Sequence, residues 1–191
     1  MQTFINILSS LLLLSVVSFS QTPTKKSTET NTTKWVVDGH VLPPEPDPVL
    51  NNATLLGINV NNNGVRDDVE RWIYETYKDK HPIHIDIAMQ AARAYKQVLE
   101  TSERAKEIQK SVNAPLYCSW YYQYDVEDLG RKILVQERID APIKSIYFDT
   151  NSRSTIYRKY DKLLSGDSYK LPRMKERKAL CDFDTSKYDK K

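Results

Sequence analysis

The sequence predicts an all-α domain of about four or five helices, preceded by an extended proline-rich strap and tied by one disulfide. Three observations carry this expectation. Apolar residues recur at spacings of three and four along most of the chain. Only five glycines occur in 191 residues, and long polar–apolar alternations are scarce. The chain has two cysteines, enough for a single bridge. Apolar residues make up 40% of the composition, which suits a packed core and argues against global disorder. The length accommodates one domain with a real core and is too short for two sizeable ones.

Residues 1–20 read MQTFINILSSLLLLSVVSFS. The apolar run from Phe4 to Phe19 ends in small residues, with Ser18 and Ser20 where a signal peptidase needs small side chains. A signal peptide cleaved before Gln21 is expected, although no Lys or Arg precedes the run. The competing reading is a retained anchor. The run falls short of the roughly 20 apolar residues needed to span a bilayer, and Ser9, Ser10 and Ser15 interrupt it. The mature chain is therefore expected to be periplasmic or secreted, without a transmembrane span.

Residues 21–33, QTPTKKSTETNTT, are polar and Thr-rich and read as a flexible tether. A helical domain is expected over 34–185, with 186–191 as a disordered tail. Trp35, Val36 and Val37 followed by Asp38-Gly39 suggest a short hairpin or extended piece. LPPEPDP then places Pro43, Pro44, Pro46 and Pro48, which fix φ and remove amide donors, so this piece is an extended strap.

Helical spacing begins with Val65, Val69, Trp72, Ile73 and Tyr77. His81-Pro82 breaks it, because the residue before proline avoids helix. A second helix is expected from near Pro82 to about Glu100, with Ile83, Ile87, Ala91, Ala94, Tyr95 and Val98 on one side. Ser102-Glu103 caps a continuation to about Ser111, and Asn113-Ala114-Pro115 breaks the pattern again. Residues 116–124 are aromatic. Asp125 to about Asp140 reads as helix, Pro142 interrupts it, and Ile143 to Phe148 reads as a short turn. Asn151-Ser152 caps a last helix through Leu164, with Ile156, Tyr157, Tyr160 and Leu163 buried and Gly166 as its stop.

The stretch that carries chemistry is 59–70, N-V-N-N-N-G-V-R-D-D-V-E. A calcium loop needs oxygen side chains at positions 1, 3 and 5, glycine at 6, a carbonyl at 7, a polar group at 9 and a bidentate carboxylate at 12. Asn59, Asn61, Asn63, Gly64, Val65, Asp67 and Glu70 fill those positions. Calcium is a hard ion that takes roughly six to eight oxygens, and Glu70 on the next helix can close the site with two. The stretch resembles the calcium loops of EF-hands, dockerins and thrombospondin type 3 repeats. That resemblance covers twelve residues and implies metal ligands at Asn59, Asn61, Asn63, Val65, Asp67 and Glu70, with calcium as cofactor. It departs from the pattern at Asn59, where Asp is usual, and at Arg66, where EF-hands carry the apolar residue that joins paired loops. A lone structural site is expected. Two carboxylates at ligand positions imply weak affinity, roughly 10⁻⁴ to 10⁻³ M. The plain alternative is an Asn-Gly turn that caps the next helix without metal.

Cys118 and Cys181 are expected to pair in an oxidising compartment, closing a loop worth about 4 kcal/mol of unfolded-state entropy; the alternative is two buried thiols. His81, His84 and Asp86 are a weak transition-metal candidate, since His81 falls outside the helix. Tyr117, Trp120, Tyr121 and Tyr124 form an aromatic stripe that is core or, alternatively, a surface for stacking sugars. The net charge of +3 does not imply nucleic acid, and the basic residues from Arg158 onward read as a solvated face or a contact for an acidic partner. No nucleophile motif, phosphate-cradling loop or dinucleotide fingerprint is present. Two classes remain: a non-catalytic binder or inhibitor whose partner is an envelope or extracellular protein or a glycan, and a small envelope hydrolase acting on cell-wall material.

Overall fold

The computed structural model describes residues 35–125 and 139–188. The expected signal segment and tether lie outside the described residues, as does most of the helix expected over 125–140.

The described chain is all-α apart from one hairpin. The strands β1 (Val36–Val37) and β2 (His40–Val41) pair antiparallel, Val37 opposite His40. Asp38 and Gly39 join them with φ of 50° and 79°, the two left-handed residues that a two-residue hairpin turn requires. The strap follows without regular structure. Leu42, Pro43 and Pro46 are buried, and Arg71 donates to the Pro43 carbonyl at 2.9 Å and pairs with Glu45.

Helix α1 (Pro48–Asn52) has proline at its first position, and the Asp47 carboxylate accepts from the Val49 and Leu50 amides at 2.8 and 3.0 Å. Helix α2 (Asp67–Tyr77) opens with Asp67, Asp68 and Glu70, which favour the positive end of the helix dipole. Val69, Ile73 and Tyr77 are its buried stripe.

Helix α3 (Ile83–Thr101) is the centre of the domain. The spacing predicts one apolar face, yet Met89, Gln90 and Ala92 are buried as well. The reason is its neighbours: α2, α4 (Ala105–Val112), α5 (Ala114–Trp120), α6 (Asp140–Tyr147) and α7 (Asn151–Leu164) all pack against it. Its alanines at 88, 91, 92 and 94 let those helices approach closely.

The break expected at Asn113-Ala114-Pro115 is present: α4 ends at Val112 and α5 begins at Ala114 with Pro115 in its first turn. Pro142 lies in the first turn of α6, and the helix it was expected to interrupt lies mostly outside the described residues. In a first turn the missing amide has no intrahelical acceptor to lose. Ile143 to Phe148 is accordingly most of a helix, with Ile143 and Tyr147 buried. Helix α7 is capped by Thr150, whose hydroxyl accepts from the Arg153 amide at 3.2 Å. Its buried positions are Arg153 and Tyr160, while Leu163 is exposed and Leu164 packs on the core. Leu163 sits three residues past Tyr160 and Leu164 four, and the tilt of the stripe selects the second.

Cys118 and Cys181 form the expected disulfide, 63 residues apart. The segment around Cys181 lies along α3. Tyr188 bonds the Asp86 carboxylate, Gln90 donates to the Leu180 carbonyl at 2.6 Å, and Arg93 holds both carboxylate oxygens of Asp182 at 2.7 and 2.8 Å. Positions 86, 90 and 93 share one face of the helix. The segment also contains α8 (Met174–Arg177) and a 3₁₀ turn at Thr185–Tyr188. Tyr188 is buried, so residues 186–188 belong to the packed domain, while 189–191 lie outside the described residues. Among the described residues no helix is long and apolar enough to cross a membrane.

Candidate functional site

The loop at 59–70 is positioned from both ends. Gly57 precedes it at φ 67°, and a Cβ there would sit 2.4 Å from Arg66 Cδ and 2.6 Å from Asn51 Oδ1. Only glycine allows that approach. Asn51 then straddles the entry: its Oδ1 accepts from the Ile58 amide at 2.9 Å and its Nδ2 donates to Asp68 Oδ2 at 2.9 Å. At the far end, the Asp67 amide donates to the Ile58 carbonyl at 2.8 Å and closes the loop base.

Inside the loop the side chains turn toward one another. Asn61 Oδ1 accepts from the Asn63 amide at 3.2 Å, and Asn63 Oδ1 accepts from the Val65 amide at 2.8 Å. These are local turns in which Asn substitutes for backbone. The Nδ2 atoms of Asn61 and Asn63 both donate to Glu70 Oε2, at 3.0 and 2.7 Å. The Val65 side chain is fully buried in the core, so only its carbonyl is available as a ligand. Gly64 holds the sharp bend at φ 85°.

The electrostatics set this loop apart. Asp67 and Glu70 are both fully buried. Asp67 accepts from the Val60 amide at 3.1 and 3.2 Å. Glu70 is met on Oε1 by His40 Nε2 at 2.7 Å. Among the described residues no Lys or Arg pairs with either carboxylate; Arg66, just before Asp67, turns away to Asp68 at 2.6 Å. Burial pushes the Asp67 carboxyl above its ordinary range, the Val60 amide opposes that, and the charges of Glu70 and Asp68 add to it. Asn59 Oδ1 is buried and has no hydrogen-bond partner among the described residues.

The structure therefore brings Asn61 and Asn63 together on one carboxylate oxygen of Glu70 and places Asp67 close enough for the Glu70 charge to act on it. For Asn59 it shows a buried oxygen without a partner. A calcium ion would fit this donor set. Each Asn oxygen has a second lone pair beyond its local turn, and the two acids supply the charge. The amide bonds now made to Glu70 would have to give way.

Sequence reasoning missed His40, Asn51, Gly57 and Arg153. Arg153 is the largest omission. It is fully buried and donates to the carbonyls of Asn51, Thr54 and Leu55 and to Asn52 Oδ1 and Asp149 Oδ1, at 2.7 to 3.2 Å. Its guanidinium thus holds the 51–55 turn ahead of the loop from a helix roughly one hundred residues away in the chain. Arg66 works in parallel, reaching the Ile146 and Tyr147 carbonyls at 3.1 and 3.2 Å. Arginine in a loop or helix reads as surface, and nothing local marked either as buried.

No family model, curated protein or solved structure matches this chain. Its function is read from its own geometry.

The weaker constellations resolve differently. His84 Nδ1 lies 2.9 Å from the His81 carbonyl, and Asp86 is taken by Tyr188 and Lys187. Among the described residues no three His, Cys, Asp or Glu side chains converge on a metal position. The aromatic stripe divides: Tyr117 is buried, as is the neighbouring Tyr122, beside Cys118, Trp120 and Tyr121 are half-buried, and Tyr124 is exposed. Part of the basic segment covers the stripe, with the Arg177 guanidinium 5.5 Å above the Trp120 ring and Lys178 5.7 Å above Tyr121.

Proposed function

We infer that this protein is an exported helical module that binds calcium at 59–70 and acts by binding a partner in the cell envelope or outside it. The observation that supports the metal most directly is the pair of buried carboxylates, Asp67 and Glu70, beside the unpartnered Asn59 oxygen. Buried charge needs a compensating charge, and among the described residues the one basic side chain that approaches is His40, on Glu70. Calcium held by Asn59, Asn61, Asn63, the Val65 carbonyl, Asp67 and Glu70 would supply it. The bound ion would fix the entry of α2 relative to the 51–58 turn, a structural role.

Export is supported by the disulfide, which belongs to oxidising compartments, together with the apolar leader and its small-residue end. A hydrolase would need two carboxylates across a cleft. The cavity between α4 and α7 is lined by one acid, Asp161, among the described residues, which favours a binder.

The test is thermal melting of the mature protein in EDTA and across calcium concentrations, in parallel with Glu70→Gln. Calcium is expected to raise the wild-type Tm and to leave the variant unchanged. An identical melting curve with and without calcium would reduce the loop to a helix-capping turn.

A further inference from the structure

A cavity of about 410 Å³ opens between α4 and α7, floored by Ala91 and Tyr95 of α3. Its volume falls within the range of small-molecule sites. Tyr95, Tyr157, Tyr160 and Tyr169 give it aromatic walls, and Gln109, Asn113, Lys144 and Asp161 give it hydrogen-bonding groups. Tyr95 and Tyr160 are buried and back the wall, Tyr157 and Tyr169 expose more of their rings, and Gln109 offers an amide with both donors and an acceptor.

A second cavity of about 300 Å³ shares Gln109 and Tyr169 with the first, so the two adjoin past that tyrosine. Its character is cationic. Lys110, Lys170 and Arg173 line it, with Glu176 drawn onto Arg173 at 2.9 Å, while Tyr117 lies beneath.

The two halves together describe a ligand. A pyranose ring has one face of C–H groups that packs on an aromatic ring and a rim of hydroxyls that both donate and accept. Planar amides and carboxylates such as Gln109, Asn113 and Asp161 satisfy that rim with paired bonds. In the first cavity Lys144 and Asp161 offset each other in charge, which suits a neutral ring. The second presents surplus positive charge, which suits a carboxylate. An apolar ligand would strand the polar groups of the first cavity.

We propose that the joined cavities bind a short acidic glycan, with one sugar ring against Tyr157 and Tyr169 and a uronate carboxylate at Lys110 and Lys170. This deepens the binding-module reading by naming a ligand class, and it does not depend on the calcium loop.

The test is isothermal titration of the mature protein in EDTA, so that the loop plays no part, with trigalacturonate, neutral maltotriose and an oligoglutamate peptide, each at about 1 mM. Trigalacturonate is expected to bind more tightly than maltotriose. The double variant Lys110→Ala/Lys170→Ala is expected to remove that difference. Asp161 is exposed at the cavity, so Asp161→Ala is expected to melt no lower than wild type while binding both sugars about tenfold more weakly. The proposal is overturned if neither sugar binds, if Asp161→Ala binds as well as wild type, or if oligoglutamate matches trigalacturonate, which would point to an acidic protein segment. Failure here with a calcium-dependent Tm intact would leave the metal loop standing.

Discussion

His40 Nε2 lies 2.7 Å from Glu70 Oε1, and the His40 ring stacks on Tyr74 with centroids 4.2 Å apart. The hairpin therefore clamps the carboxylate that would close the calcium loop. Metal and imidazole compete for the same acid. His40→Ala is expected to lower the Tm in EDTA, through loss of the bond and the stack, and to tighten calcium binding by releasing Glu70. Calorimetric titration of both proteins decides this; equal or weaker affinity in the variant would show that His40 does not compete.

The acid at position 67 gives a pH signature. Its titration is displaced upward from the ordinary value of 3.8, first by burial. A carboxyl with a raised folded-state pKa binds more protons folded than unfolded, so its contribution to stability is lost as pH rises through that raised range and is recovered on acidification. In EDTA, Asp67→Asn is expected to be at least as stable as wild type at neutral pH, since its amide oxygen still accepts from Val60. The advantage of the variant should shrink as pH falls toward 4. With calcium the order reverses, because the variant lacks one charged ligand. Melting curves at pH 7 and pH 4, with and without calcium, give the four values needed.

Arg153 is the pin of the loop's base. Its removal strands the carbonyls of Asn51, Thr54 and Leu55 and leaves Asp149 with one bond fewer. Arg153→Met is expected to cost about 3–5 kcal/mol, the range for breaking a buried charged network. The lower urea midpoint should come with faster proteolysis within 51–58. A variant as stable as wild type would mean that those carbonyls find other donors.

The disulfide stabilises both the global fold and one segment. Cys118→Ser/Cys181→Ser is expected to lose about 2–5 kcal/mol. The loss should stop short of freeing the segment entirely, because Arg93–Asp182 and Gln90–Leu180 still anchor it. Hydrogen exchange over 170–188 is the readout: partial protection in the double variant supports those anchors, and full exchange shows that the bridge alone holds the segment.

Much was legible before the structure. The spacing of Val65, Val69, Ile73 and Tyr77 gave helix α2, and Ile83 through Val98 gave α3, because a helix repeats its buried face every three to four residues whatever it packs against. The Asn-rich loop was visible because turn chemistry and ligand spacing are local. The break at 113–115 was legible too, whereas Ile143 to Tyr147 read as a turn and is helix, because proline stops a helix in its interior and starts one in its first turn, and only the neighbouring residues' contacts show which applies.

Chain chemistry by itself determined that this protein is helical, bridged between Cys118 and Cys181, and equipped with a twelve-residue loop of amide and acid oxygens. Tertiary structure alone decided that, among the described residues, Asp67 and Glu70 are buried without a Lys or Arg, that His40 sits on Glu70, that Arg153 holds the loop from a distant helix, and that a cavity opens between α4 and α7. The division has a physical cause. Periodicity and turn preference act over a few residues, whereas burial and charge compensation depend on which distant segments fold against one another.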